Sequence, residues 1–334
     1  MRNSAGKWFM GWVAAAMLGA DARGQDAQVF KFDFAQNHPL VYSVEISDKT
    51  INDRSGVVQG RTQSSINRTT VLTRYKFRLT PQKKNKDGTW QVRYTPYDFT
   101  YSFDAYGPNG QAVTSLQDGL QVKGTQNGIV VVDTTREIGM AQANTFKQSL
   151  LPKLLSGSMD FESSGRVARW DGDLPFIDYW TNQMKLQIGF FGIVFSGQAI
   201  APGATWDETL TLKNLQGLKL GEGGLVETNA FKRPLGPSSD DAATATIESS
   251  MAWHGRDLPA NFDQMGQNTA LNISEFNHNR SGKCQFDFVH GRLLGGTNFE
   301  TGHAQMEMLV QGNTMNLTVD SETSTTLKLL PDEQ

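Results

Sequence analysis

Cysteine is nearly missing from these 334 residues: Cys284 stands alone, so no intramolecular disulfide can form. Stability must come from buried apolar surface, which a chain of this length can supply. Long apolar runs are equally scarce. Trp8 to Leu18 is unbroken but too short to cross a bilayer, which needs about 20 apolar residues. The strongest later run, Gln187 to Ile200, is interrupted by three glycines and reads as a buried element. An excess of one charge is missing too, the net being −3. That balance argues against a nucleic-acid partner, which demands a clustered basic surface. The densest basic cluster, Lys83-Lys84-Asn85-Lys86, runs straight into Asp87-Gly88 and is better explained as a hairpin tip. No Gly-x-Ser-x-Gly elbow and no His-Glu-x-x-His pair occurs, so no nucleophile or metal motif is legible locally.

What is present begins with an export signal. Arg2 and Lys7 precede the apolar run, and Ala20-Asp21-Ala22 supplies the small-x-small pattern of a peptidase site. Residues 1–22 therefore read as a cleaved signal peptide and Arg23 as the mature start. No cysteine stands at the cleavage site, so the expected product is periplasmic or extracellular and not a lipoprotein. Without residues 1–22, 29 basic residues face 33 acidic ones, a net of −4.

Strand patterning dominates the rest. Residues 23–36 form a polar tail and first strand in which Val29, Phe30, Phe32 and Phe34 open the domain. Residues 37–170 read as an N-terminal β-rich half, with an amphipathic helix at 136–156 closed by Gly157. Residues 171–200 read as a helical connector and 201–334 as a C-terminal β-rich half. Val71, Thr73, Tyr75, Phe77 and Leu79 alternate with Arg74, Lys76 and Arg78, and Trp90, Val92 and Tyr94 return. After Pro96 the apolar phase moves to Tyr97, Phe99, Tyr101 and Phe103, which predicts a bulge or a new strand there. Ile51 to Asn67 is polar, loses its alternation and reads as an irregular or exposed strand pair. Gly255 to Thr269 is polar with little period, and Trp253 to Asp257 reads as a strand end running into a polar turn.

One echo links the halves. Asp160-Phe161-Glu162-Ser163-Ser164-Gly165-Arg166-Val167 is similar to Asp287-Phe288-Val289-His290-Gly291-Arg292-Leu293. Each describes a strand, a tight turn that uses glycine's free φ, and a returning strand. The expected fold is thus mainly β (β-rich α+β): two antiparallel halves, pseudo-repeated, joined by an amphipathic helical segment. The order of these features, with Pro202-Gly203-Ala204-Thr205-Trp206 opening the second half, resembles a family of uncharacterised exported bacterial β-rich proteins. That resemblance implies an envelope location and brings no reaction or catalytic residues with it.

Candidate chemistry is sparse. Tyr97, Phe99, Tyr101 and Phe103 form the expected binding stripe, aromatic faces being suited to an apolar, lipid-like ligand or to a glycan. Core packing accounts for the same alternation. His278, His290 and His303, with Glu300 or Glu307, would need to converge to hold a metal. His254 and Asp257 would need hydrogen-bond contact to act as an acid–base pair. Asp98 and Asp104 are the carboxylates nearest to a glycosidase pattern. Cys284 reads as a small, half-buried strand residue. The sequons at Asn67, Asn272, Asn279 and Asn316 matter only in a glycosylating host. The leading expectation is an exported, non-catalytic envelope protein that binds a lipid-like or glycan ligand without a cofactor. The alternative is a secreted hydrolase whose site is assembled from His254, Asp257 or the late histidines. N-terminal sequencing of protein recovered from the envelope is expected to begin at Arg23, and an intact Met1 would refute cleavage.

Overall fold

The computed structural model describes residues 27–35, 38–58, 61–117, 121–154, 156–171, 193–212, 214–215, 218–220, 225–233, 243–264, 267–310 and 313–331. The proposed signal peptide and the expected helix over 176–188 lie outside them. In chain order the elements are β1 (Gln28–Val29), β2 (Leu40–Val58), β3 (Arg61–Lys84), β4 (Trp90–Gly107), β5 (Gly110–Gln117), β6 (Gln121–Gln126) and β7 (Ile129–Asp133). Helix α1 (Met140–Leu154) follows, then β8 (Gly157–Phe161), β9 (Val167–Asp171) and β10 (Ala199–Ile200). The second half holds β11 (Thr205–Leu212), β12 (Asn214–Leu215), β13 (Leu218–Leu220), β14 (Leu225–Lys232), β15 (Thr244–Gln264), β16 (Gln267–Asp287), β17 (Arg292–Val310) and β18 (Asn313–Leu329).

The two halves share one antiparallel sheet. Its order is β11-β14-β15-β16-β17-β18-β2-β3-β4-β5-β6-β7. Neighbours along the chain pair as hairpins, except that β14 returns past β12 and β13 to β11, and at the join, where β18 runs against β2 from Met315↔Gly56 to Leu329↔Tyr42. Strands of 17–24 residues reach roughly 55–80 Å at about 3.3 Å per residue. The short strand β8 pairs the first part of β4, leaving the last part to β5.

The main core gathers at one end of these strands. Tyr42, Val44, Phe77, Leu79, Val92, Tyr94, Ile247, Phe286, Leu293 and Leu327 are all buried there on one face. Farther along, Met251, Ala260, Leu271, Ile273 and Phe276 form a smaller cluster on that same core face. The opposite, outer face carries the expected charged partners of the alternation. Residues 51–56 and 62–67 are strand, and none of them is buried.

The first ordered segment acts as a wedge. Phe30, Phe32 and Phe34 are 1%, 3% and 4% exposed, although only Gln28–Val29 of this region pairs as strand, with Ala199–Ile200. Phe32 stacks edge-on against Phe161 at 5.2 Å and Phe286 at 5.1 Å, one ring from each half. Its N–H donates to Ser163 O (2.8 Å), and the Asp33 N–H donates to Gly291 O (2.9 Å). Ser163 and Gly291 belong to the two echoed hairpins, so both grip one segment. Gly165 and Gly291 have φ of +100° and +65°. A Cβ on Gly165 would lie 2.7 Å from the Phe32 ring, and one on Gly291 would lie 2.6 Å from the Asp33 nitrogen. The echoed arginines are not equivalent, for Asp160 pairs with Arg169 (3.0 Å) whereas Asp287 pairs with Arg292 (3.3 Å).

Several boundaries differ from expectation. Helix α1 starts at Met140, not 136, because Asp133 and Ile138 close a bridge and Glu137 has a φ of +58°. It docks through Ala143 and Phe146, and Gly157 opens β8 instead of capping the helix. No polar turn follows Trp253: Gly255 to Gln264 continues β15 and pairs with β16 on both sides of Asp257. Its period was hidden by a change of apolar phase: Arg256 faces Glu275 and Leu258 faces Ile273 in unbroken register, and Asp257 between them has a φ of +53°. Cys284 is fully buried, and burial pushes its thiol up to about 12, so it stays protonated at neutral pH. Phe32→Ala removes a ring that touches both halves. It is expected to cost roughly 3–5 kcal/mol, read as a lowered urea midpoint, and a loss under 1 kcal/mol would refute the wedge.

Candidate functional site

The expected aromatic stripe is divided between the two faces. Asp98 has a φ of +52°, and the β3–β4 register slips between Arg74↔Thr100 and Lys76↔Tyr97. The phase change expected at Pro96 therefore falls two residues later, after Tyr97. Tyr97 faces outward, its ring centroid 5.8 Å from both Lys76 Nζ and the Arg78 guanidinium carbon. Phe99 is 3% exposed in the core, and Tyr101 packs against Phe146 of α1 at 5.6 Å. Phe103 is half-buried beside Val71. Asp98 pairs with Lys76 at 3.1 Å, and Asp104 accepts from Gln111 at 2.9 Å.

The histidines do not converge. His303 is in register with Asn277 and His278 with Gly302, so these two imidazoles leave opposite faces of the sheet. His290 lies in the β16–β17 turn. Each has its own carboxylate: His278 with Glu300 (3.4 Å), His290 with Asp287 (2.7 Å) and His303 with Asp320 (2.7 Å). His254 Nδ1 meets Asn277 Oδ1 at 2.7 Å, while Asp257 has a φ of +53°. Among the described residues, no group of three potential metal ligands comes together.

Sequence reasoning missed the outer face over β14–β18, where an open cavity of about 700 Å³ crosses the strands. Strand register builds it from two neighbouring rows. One row runs Thr205, Lys232, Glu248, Lys283, Thr297, Thr326. The other runs Ser250, Ser281, Phe299, Ser324. Serines flank Phe299 on both sides, which leaves a large aromatic side chain 48% exposed among hydroxyls. Because these residues come from different strands, no local motif could have revealed them.

A buried polar network stiffens the opposite side of the same strands. Arg280 is 5% exposed; its Nη2 donates to the Asn298 carboxamide oxygen at 2.6 Å and its Nε lies 3.3 Å from Glu300 Oε1. A Cβ at Gly282 would collide with the Asn298 carboxamide, so only glycine lets that amide lie across β16. Burial pushes the Glu300 carboxyl upward. The hydrogen bond from His278 and the charge of Arg280 outweigh it and hold the group below its ordinary value.

No protein-family model and no curated protein matches the chain. Among solved structures, it is similar to the crystal structure of Pseudomonas aeruginosa OccK7 (OpdD). That match has 7% identity and a TM-score of 0.16, and it covers 88% of this chain and 99% of the other. A superposition this loose carries no argument about fold or function.

The Glu300 network has a defined pH signature. A carboxyl held low in the folded state contributes stability above its unfolded pKa and loses it as pH falls through the folded one. The urea midpoint is expected to drop between roughly pH 5 and pH 3, and Glu300→Gln to drop less over that window. Parallel curves for the two proteins would remove Glu300 from the account.

Proposed function

We propose that this chain is an exported, non-catalytic binding protein of the envelope whose outer sheet face holds a glycan. Half-exposed Phe299 on a floor of serine and threonine hydroxyls carries this reading. A sugar ring offers an apolar C–H face that packs on an aromatic ring and a rim of hydroxyls that exchange hydrogen bonds with Ser250, Ser281, Ser324 and Thr297. A cavity of about 700 Å³ falls within the size range of small-ligand sites.

The lipid-like alternative has less support, since it rested on the aromatic stripe. Phe99 is consumed by the core and Tyr101 by α1. The outer face itself does not suit lipid. Glu45, Lys49, Asp53, Arg74, Glu322 and Lys328 are exposed on it, where a lipid-facing sheet needs an apolar band. Among the described residues, no helix is long and apolar enough to cross a membrane. The envelope location follows the export signal and the family resemblance of the sequence.

Calorimetric titration of the mature protein with a panel of neutral and acidic oligosaccharides tests the reading. Binding of at least one is expected. Phe299→Ala should weaken it at least about tenfold, ~1.4 kcal/mol, with the urea midpoint unchanged. No binding across the panel, or binding indifferent to Phe299, would overturn it.

A further inference from the structure

We infer that the outer-face cavity is built for an acidic saccharide, whose anionic group lies between Lys232 and Lys283. This rests on the glycan reading and specifies its ligand. Strand register sets Lys232, Glu248 and Lys283 directly opposite one another along one wall. Farther along this face Lys49 and Glu322 stand opposite without an ion pair among the described residues, but such cross-strand charges can close into pairs. The next charged pair along the same row does so, Arg74 Nε lying 2.6 Å from Glu45 Oε2.

Lys232, Glu248 and Lys283 do not. Among the described residues, none of the three makes a side-chain hydrogen bond or an ion pair within 4 Å. Their head groups stand apart around the cavity. Two ammonium groups flank one carboxylate, a local excess of positive charge on a chain whose net charge is −3. An ammonium point charge suits a carboxylate or sulfate ester, and Glu248 is placed to accept from sugar hydroxyls between them. Phe299, one row away, takes the ring face. The acidic group thus completes a charge arrangement that the protein leaves open.

The test titrates the mature protein with oligogalacturonate and oligoalginate, each beside its carboxyl-reduced, uncharged form. The acidic forms are expected to bind at least tenfold tighter, with an advantage that shrinks as salt rises. Lys232→Gln combined with Lys283→Gln should abolish that advantage and spare the uncharged forms. Glu248→Gln should enlarge it, since a like charge is removed. Equal affinity for charged and uncharged forms, or a preference that survives the double lysine variant, would overturn the inference and leave the glycan reading standing. Failure of every saccharide to bind would remove both. Both lysines are exposed, and equal urea midpoints for the variants show that folding is not the cause.

Discussion

The fold depends on a short aromatic wedge. Phe30, Phe32 and Phe34 come from a segment that hardly joins the sheet, yet their rings fill the place where the two halves meet. Phe161 from the first half and Phe286 from the second both lie edge-on to Phe32. Antiparallel pairing of β18 with β2 already makes one sheet from two halves, but backbone hydrogen bonds do not fill a core. The wedge does, and each echoed hairpin holds it through one backbone carbonyl. The internal echo therefore has a mechanical meaning: two similar turns, each with a glycine at positive φ, form two sides of one clasp.

Very long strands give this sheet two distinct surfaces. The core face is apolar at the wedge end and passes through the Arg280–Glu300–His278 network to a second apolar cluster. The outer face is polar and rich in hydroxyls. Between them, Asn298 and Gly282 connect the two: the carboxamide that Arg280 holds on the core side lies across the strand that floors the outer cavity. A rigid strand array behind an open, hydroxyl-lined depression suits recognition, since little conformational freedom is lost when a ligand settles.

Much of the architecture was legible in the residues. Alternation at Val71 to Leu79 and at Trp90 to Tyr94 marked buried and outward faces correctly, and the echo marked two hairpins. Failures came where backbone geometry interrupts the period. A bulge at Asp98 put Tyr97 on the wrong face of the expected stripe, and the positive φ at Asp257 interrupts the apolar period along β15. The candidate site was the least legible part. Ser250, Ser281, Phe299 and Ser324 are each unremarkable in their own strands, and only register sets them side by side.

By itself, then, the sequence determined the class of the protein: β-rich, without an intramolecular disulfide, without a net basic charge and without a local catalytic motif. Those properties follow from composition and from a period of two along single segments. Tertiary structure alone decided which aromatics are spent on the core, which histidines part to opposite faces, and which hydroxyls and charges share a cavity. These depend on pairing register between strands tens to hundreds of residues apart. A shift of one residue would send every side chain to the other face.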